Sequence, residues 1–464
     1  MKILGRSDGS THLHPKFKDV TILFVLFVCF HLFRAPRALI EGRFWAEEGS
    51  LWWDHARRSG VWSQLTYVVP GNGYISLNAN IQTFFASLLP IRIAPLLTTW
   101  TSLLGMFLPA AILILLPRRL FKERFITIFV ASLLLFSSPG LEPDVFANSI
   151  NLQTHLAIAL SVCIFADWDL ISTRLFCSLV IPLQLLAILS GSYGLAVGAI
   201  VLIIALIGIW RRREIESLGQ SSKVAISFVI LSILAIVVQI SVFLVGLSEH
   251  GVRAERARHP LPNIHNFLSF FASNLSTVGW SRTQSDQVFE RLLLDSSSAA
   301  VVAIPFLILV ILCVFPLMSR RLTDRGTKTW KDEFLSSARW VPLNLLFAYV
   351  TISLVTLYGY ASPIPNTRYQ VVASAILVMC VLSAIAVNFD GSSLRAMKYV
   401  IGGYLLIVGF VGMQNDPWTY LTCGRSCVPW STQVTEAQDG LRQEFIFWPM
   451  HSDPQFTSAV RLDG

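Results

Sequence analysis

Charge is what this sequence has least of. Only 14% of its 464 residues are Asp, Glu, Lys or Arg, against about 25% in soluble domains, so a water-soluble globular architecture is excluded. Nucleotide signatures are missing as well. There is no Walker motif, no dinucleotide glycine fingerprint and no basic-aromatic pattern that would hold nucleic acid. No internal repeat stands out. A divalent cation is conceivable, but no compact ligand set is supplied for one, and no other cofactor is indicated. The seven Cys sit mostly inside apolar runs, where a thiol behaves as a small buried hydrophobe. Cys423 and Cys427 lie in a polar tail instead, where a disulfide and two unrelated thiols are the alternatives.

What the chain has is apolar length. It is 54% hydrophobic with a mean hydropathy of +0.60, and its repeated apolar runs are long enough to span a bilayer. The net charge of +8 falls in short clusters between those runs, which orient the chain in the membrane. Lys2, Arg6, Lys16 and Lys18 precede a first run at about 20–32 that lacks a small-x-small cleavage site. It reads as an uncleaved helix with its N-terminus inside. Arg118, Arg119, Lys122 and Arg124, then Arg211 to Arg213, mark further inside loops.

The stretch 74–89 decides the topology. Asn78, Asn80 and Gln82 interrupt it and Pro90 ends it, so it is too short and too polar to cross. If it crossed, the basic cluster at 118–124 would lie outside; if it rests on the outer face, the cluster lies inside. The second option makes 39–91 one outer layer. It leads to about eleven spans with the C-terminus outside. Three regions follow: a core at 1–297 with outer loops 39–91, 138–153 and 248–297; helices at 298–413 with an outer loop at 359–369; and an outer tail at 414–464.

The candidate chemistry gathers on that outer side. Glu47 and Glu48 stand together just after the first helix, among Trp45, Trp52 and Trp53. Adjacent carboxylates at a membrane boundary are costly to bury unless their charge has a use; the alternative is an interfacial loop with both side chains in water. Glu142, Asp144 and Asn148 form a second polar loop, followed by His155, and Tyr193 sits in another outer turn. Asp144 or Asn148 could equally cap a helix. Arg256, Arg258 and His259 give an outside basic cluster, and Arg368 and Tyr369 close a Pro-rich turn. Such arginines fit a bound phosphate or diphosphate, or bulk anionic headgroups. Phe267, Phe270, Phe271 and Trp280 read first as interfacial packing and second as a wall for a lipid tail or sugar.

Glycosyl transfer needs a carboxylate to take the acceptor proton and cations to stabilise a phosphate leaving group. On these features the chain resembles the polytopic C-type glycosyltransferases, with Phe44 to Gly49 matching their first acidic motif and Glu142 to Asp144 the second. It is most similar to bacterial members associated with surface-polysaccharide modification. The resemblance implies an all-α polytopic integral membrane fold with outer-face interfacial helices, in the bacterial inner membrane. It implies a polyprenyl-phosphate sugar as donor, a glycan or lipid-linked acceptor, and inversion at the anomeric carbon. Glu47 or Glu48 would be the base, Asp144 would help orient the acceptor or another active-site group, and Arg258 and Arg368 would hold donor phosphate. Many members of that class carry an Asp where this chain has Glu-Glu, so which carboxylate acts stays open. The rival readings are a transporter or flippase of a lipid-linked saccharide and a non-catalytic polysaccharide-assembly subunit.

Overall fold

A computed structural model describes residues 13–42, 44–45, 47–69, 73–136, 146–167, 171–213, 221–248, 263–279, 296–323, 338–359, 370–388, 399–400, 403–404, 407, 428–442, 445–446 and 457–458. It is a helical assembly. The first helix, α1 (Leu13–Arg34), buries Leu23, Phe27, His31 and Arg34 along one stripe and exposes Phe17, Leu26 and Phe33 on the other side. That spacing of three and four residues is the helical period. A run of short elements follows: α2 (Pro36–Glu41), a π-helical turn at Glu48–Trp53, α3 (Asp54–Arg58), α4 (Val61–Leu65) and α5 (Leu77–Ser87). We refer to residues 36–93 as the layer.

Long helices resume with α6 (Ala94–Leu115), α7 (Arg124–Phe136) and α8 (Leu152–Val162). They continue through α9 (Thr173–Leu175), α10 (Ile181–Ile188), α11 (Ser192–Arg213) and α12 (Ser221–Ser248). Next come α13 (Ile264–Gly279), α14 (Ser296–Thr323), α15 (Val341–Gly359) and α16 (Val371–Asn388), and after them α17 (Trp430–Gln438). The strands β1 (Phe445–Ile446) and β2 (Thr457–Ser458) form one small antiparallel pair. Among the described residues, four helical stretches are long and apolar enough to cross a membrane: Ala94–Leu115, Ile226–Val245, Ala338–Tyr358 and Val371–Asn388. The chain is an α-helical membrane protein.

Helix α6 gives the assembly two distinguishable ends. Its 22 residues rise about 33 Å, enough to span the hydrocarbon core. At its start, Ala94 packs with Phe44, Trp53 and Trp430. Near its finish, the Lys16 ammonium donates to the Leu115 carbonyl at 3.4 Å. Arg118 turns back on the carbonyls of Leu113 and Ile114, capping the helix, and burial lowers its pKa to about 10. At this opposite end Arg119 N–H donates to Phe165 O and Asp167 N–H to Pro117 O, while Arg124 pairs with Asp19. Lys16 thus lies at one end of α6 and Trp430 at the other.

Phe267, Phe270 and Phe271 are buried in α13. Phe267 and Phe271 meet Phe306 and Tyr349 edge-on, with ring centroids 5.1–6.4 Å apart. These rings pack inside the helical core rather than lining an open surface, which corrects the picture of 248–297 as loop throughout. The same helix carries a polar seam. Ser273 donates to Gln370 Oε1 at 2.9 Å, Asn274 to Tyr349 Oη at 3.1 Å, and Ser374 to Asn274 Oδ1 at 3.0 Å.

A candidate active-site layer

The layer is made of side chains that a bilayer would reject. Helix α5 spans only 11 residues and buries Asn78, Asn80, Gln82 and Thr83. Each finds a hydrogen-bond partner inside the layer or on a neighbouring helix, as buried polar groups must. Gln64 donates to Thr83 Oγ1 at 2.9 Å, and Asn80 donates to the carbonyls of Leu65 and Tyr67 at 3.1 and 2.9 Å. Gln82 Oε1 accepts from Thr101 at 2.6 Å and from Ser102 at 3.0 Å, which ties α5 to α6. Gly42 makes the first approach to α6 possible. Its φ is +71°, and a Cβ there would sit 2.5 Å from the Leu96 backbone nitrogen.

Two distant turns, helix α12 and the C-terminal segment close onto this layer. Asn78 N–H donates to the Ser190 hydroxyl at 3.1 Å, and its side-chain amide donates to the Ser149 carbonyl. Leu77 N–H donates to Leu189 O at 2.9 Å. Gln239 of α12 reads the Ile75 backbone from both sides: its oxygen accepts at 3.2 Å and its amide donates at 3.1 Å. Gln153 lies against Gly191, whose φ of +148° leaves no room for a side chain beside that amide. The C-terminal segment arrives last, with Trp430 Nε1 donating to Ile91 O at 2.9 Å and its ring against Phe44, Trp53 and Phe445.

Glu48 lies where these pieces meet. It is 0% exposed. Its Oε2 accepts Trp45 N–H at 2.9 Å and its Oε1 accepts Ser149 N–H at 3.0 Å, across 101 residues of sequence. Burial raises its pKa, against the opposing pull of those two N–H groups and of the Thr98 hydroxyl. One carboxylate therefore binds the first acidic turn, the start of α6 and the turn before α8 into a unit. A group so enclosed is a strut, whereas Glu47 beside it is half-buried and can be reached from outside.

The other sequence candidates separate cleanly. Asn148 is buried and its Oδ1 accepts Asn151 N–H at 2.9 Å, which closes the turn ahead of α8. His155 is buried in α8, and Tyr193 is buried in the core at the start of α11. Glu142, Asp144, Arg256, Arg258, His259, Arg368 and Tyr369 lie outside the described residues, as do Trp280, Cys423 and Cys427. No group of three or more His, Cys, Asp or Glu among the described residues could hold a metal ion. The sequence reading did not single out Thr98, Ser149 or Gln239. A hydroxyl or amide beside or inside an apolar run was the available signal for them.

These observations define a class: an α-helical membrane protein whose buried, hydrogen-bonded polar layer covers one end of the bundle. Compared with known proteins, the chain matches no protein-family model, and no curated protein matches it.

Proposed function

We propose that this chain is a membrane glycosyltransferase. It moves a sugar from a polyprenyl-phosphate donor to a cell-envelope glycan or lipid-linked acceptor, on the outer face of the bacterial inner membrane. The observation that carries the reading is one-sidedness: Glu47 stands half-buried in a rigid polar layer that gathers the 146–151 and 189–191 turns and the C-terminal segment at the same end. The basic residues of the opposite end, Lys16, Arg118, Arg119, Lys122 and Arg124, favour placing that end in the cytoplasm and the layer outside. Lys16 and Trp430 at opposite ends of α6 fit a chain that crosses an odd number of times, such as eleven.

In this reading Glu47 takes the proton of the acceptor hydroxyl as that oxygen attacks the anomeric carbon. The bond to the polyprenyl phosphate breaks on the opposite face, and the phosphate leaves as an anion. Glu48 holds the turn that aims Glu47. The test is the purified protein in lipid with a panel of polyprenyl-phosphate sugars. Glu47→Gln is expected to lower transfer by at least a hundredfold while donor binding and the unfolding midpoint stay unchanged. Translocation of the saccharide without covalent transfer, indifferent to Glu47→Gln, would move the assignment to a transporter. The polar seam joining α13, α15 and α16 is the observation that favours that second reading.

A further inference from the structure

Gln64 turns a buried amide to the holding of one histidine. It is 0% exposed, and its amide nitrogen faces Thr83 Oγ1 at 2.9 Å and the carbonyls of Trp52 and Asn80, each at 3.4 Å. A carbonyl only accepts, so that end of the amide is the NH2 end. The other end, Oε1, meets His55 Nδ1 at 2.7 Å. Since Oε1 accepts as well, Nδ1 carries a proton, and the neutral imidazole keeps its lone pair on Nε2. Ser59 Oγ lies 3.2 Å from the same Nδ1. Tyr67 fixes the plane of the ring by stacking on it, with centroids 3.8 Å apart and 11° between the planes. Nε2 has no partner among the described residues, and it is not one of the enclosed polar atoms of the layer.

Position adds a second fact. From Glu47 to Arg58 the chain is helical, and half-buried or exposed Glu47, Leu51, His55 and Arg58 alternate with buried Glu48, Trp52 and Ala56. That spacing of three and four residues puts His55 on the same face as Glu47, two turns farther along. On this face Arg58 donates to Asp54 Oδ1 at 2.8 Å, with the Arg58 side chain 67% exposed. Asp54 Oδ2 has no hydrogen-bond partner among the described residues. The face therefore shows two acceptors, Nε2 and Oδ2, beside the guanidinium donors of Arg58. With the imidazole neutral, the three side chains sum to zero charge.

We propose that His55, Asp54 and Arg58 form a subsite for the hydroxyl groups of a neutral saccharide. A hydroxyl donates and accepts at once, so neighbouring hydroxyls on a sugar ring give hydrogen to Nε2 and Oδ2 and take it from Arg58. The bonds to Asp54 and Arg58 are charge-assisted. An anionic ligand would be repelled by the Asp54 carboxylate. A histidine left to water needs no buried amide to set its tautomer, whereas a subsite has to present the same atom each time. Two helical turns separate this subsite from Glu47, about 11 Å along the axis, which one sugar ring does not cover. The ligand is therefore an oligosaccharide. Its identification as the acceptor of the transfer rests on the proposed function; the subsite itself rests on the geometry alone.

The full chain in phosphatidylcholine nanodiscs, applied to an array of neutral and anionic glycans with empty nanodiscs as the control, tests it. The native chain is expected to bind neutral oligosaccharides. His55→Phe, which keeps the stack on Tyr67 and lacks Nε2, is expected to weaken that binding about tenfold. If His55→Phe fails to fold, Asp54→Ala, on the open side of the same face, is expected to weaken it by about as much. A native chain that binds no neutral glycan would overturn the subsite, and so would binding that survives both substitutions in folded protein. Tighter binding of anionic glycans would overturn its neutral character. In sugar transfer, His55→Phe is expected to raise the acceptor KM about tenfold with kcat near native, because Glu47 still takes the proton. Neutral-glycan binding that depends on His55, without any transfer, would sink the proposed function and leave the subsite standing; transfer whose acceptor KM ignores His55→Phe would do the reverse.

Discussion

At the layer end of the bundle, polar side chains are buried and matched to partners far away in sequence; at the opposite end, Lys122, Glu123 and Arg124 are exposed. The first arrangement is expensive and the second costs little. Glu48, Gln64, Asn78, Asn80 and Gln82 each give up water; Gln64 and Asn80 find partners within the layer, while Glu48, Asn78 and Gln82 reach α6 and the 146–151 and 189–191 turns. An ion pair such as Arg124 with Asp19, open to solvent on the arginine side, is screened and weakly coupled to the rest. Precision is therefore concentrated where Glu47 sits, and substitutions at the two ends should differ in their effect.

The largest break in that comparison is expected at Gly42. Alanine there meets both a left-handed backbone and the backbone of Leu96. Strain and overpacking together amount to roughly 2–6 kcal/mol, enough to unfold the layer or the chain. Thermal unfolding of Gly42→Ala in detergent should show a large loss, while Lys122→Ala leaves the midpoint unchanged. A normal midpoint for Gly42→Ala would mean that the layer and α6 do not meet as closely as described.

Glu48 sharpens the comparison through pH. Its carboxyl has an ordinary value of 4.5 in the unfolded chain and a raised one in the fold, because burial disfavours the charge. Below the ordinary value both states hold the proton and no stability is lost. As pH rises from there through the raised value, the unfolded chain releases its proton more readily than the fold does, so stability falls. The native unfolding midpoint should drop over this window, and Glu48→Gln should flatten its share of the slope. Glu48→Ala instead leaves the N–H groups of Trp45 and Ser149 unmatched, at about 1–3 kcal/mol for each. An unchanged pH slope in Glu48→Gln would place the titration elsewhere.

Part of this was legible in the sequence. Asn78, Asn80 and Gln82 argued against a span at 74–89, and the same amides are the ones that hold α5 within the layer. Period and apolar length also marked α6, α12, α15 and α16 as membrane-crossing candidates. The difference between Glu47 and Glu48 was not legible, since two adjacent identical residues carry no local sign of which one turns inward. Ser149 settles it from 101 residues away. Trp430 was equally hidden: its partner Ile91 is 339 residues distant, and an aromatic in a polar tail records nothing about where it docks. His31 read as the polar continuation of an apolar helix, and nothing near it in sequence records that its ring packs against Phe146.

The smallest effect should have the opposite sign. Ala147 keeps a φ of +45° between Phe146, buried against His31, and Asn148, with its N–H directed at Met106 Sδ at 3.3 Å. Glycine adopts that conformation without steric penalty, so Ala147→Gly should relieve local strain. The more flexible unfolded chain takes back part of the gain, leaving about 1 kcal/mol of stabilisation. A midpoint raised by a few degrees would show that the turn before α8 holds strain. A destabilised Ala147→Gly would instead mean that the alanine methyl packs better than its backbone suffers, and the turn would then be a fixed wall, as rigid as the layer it touches.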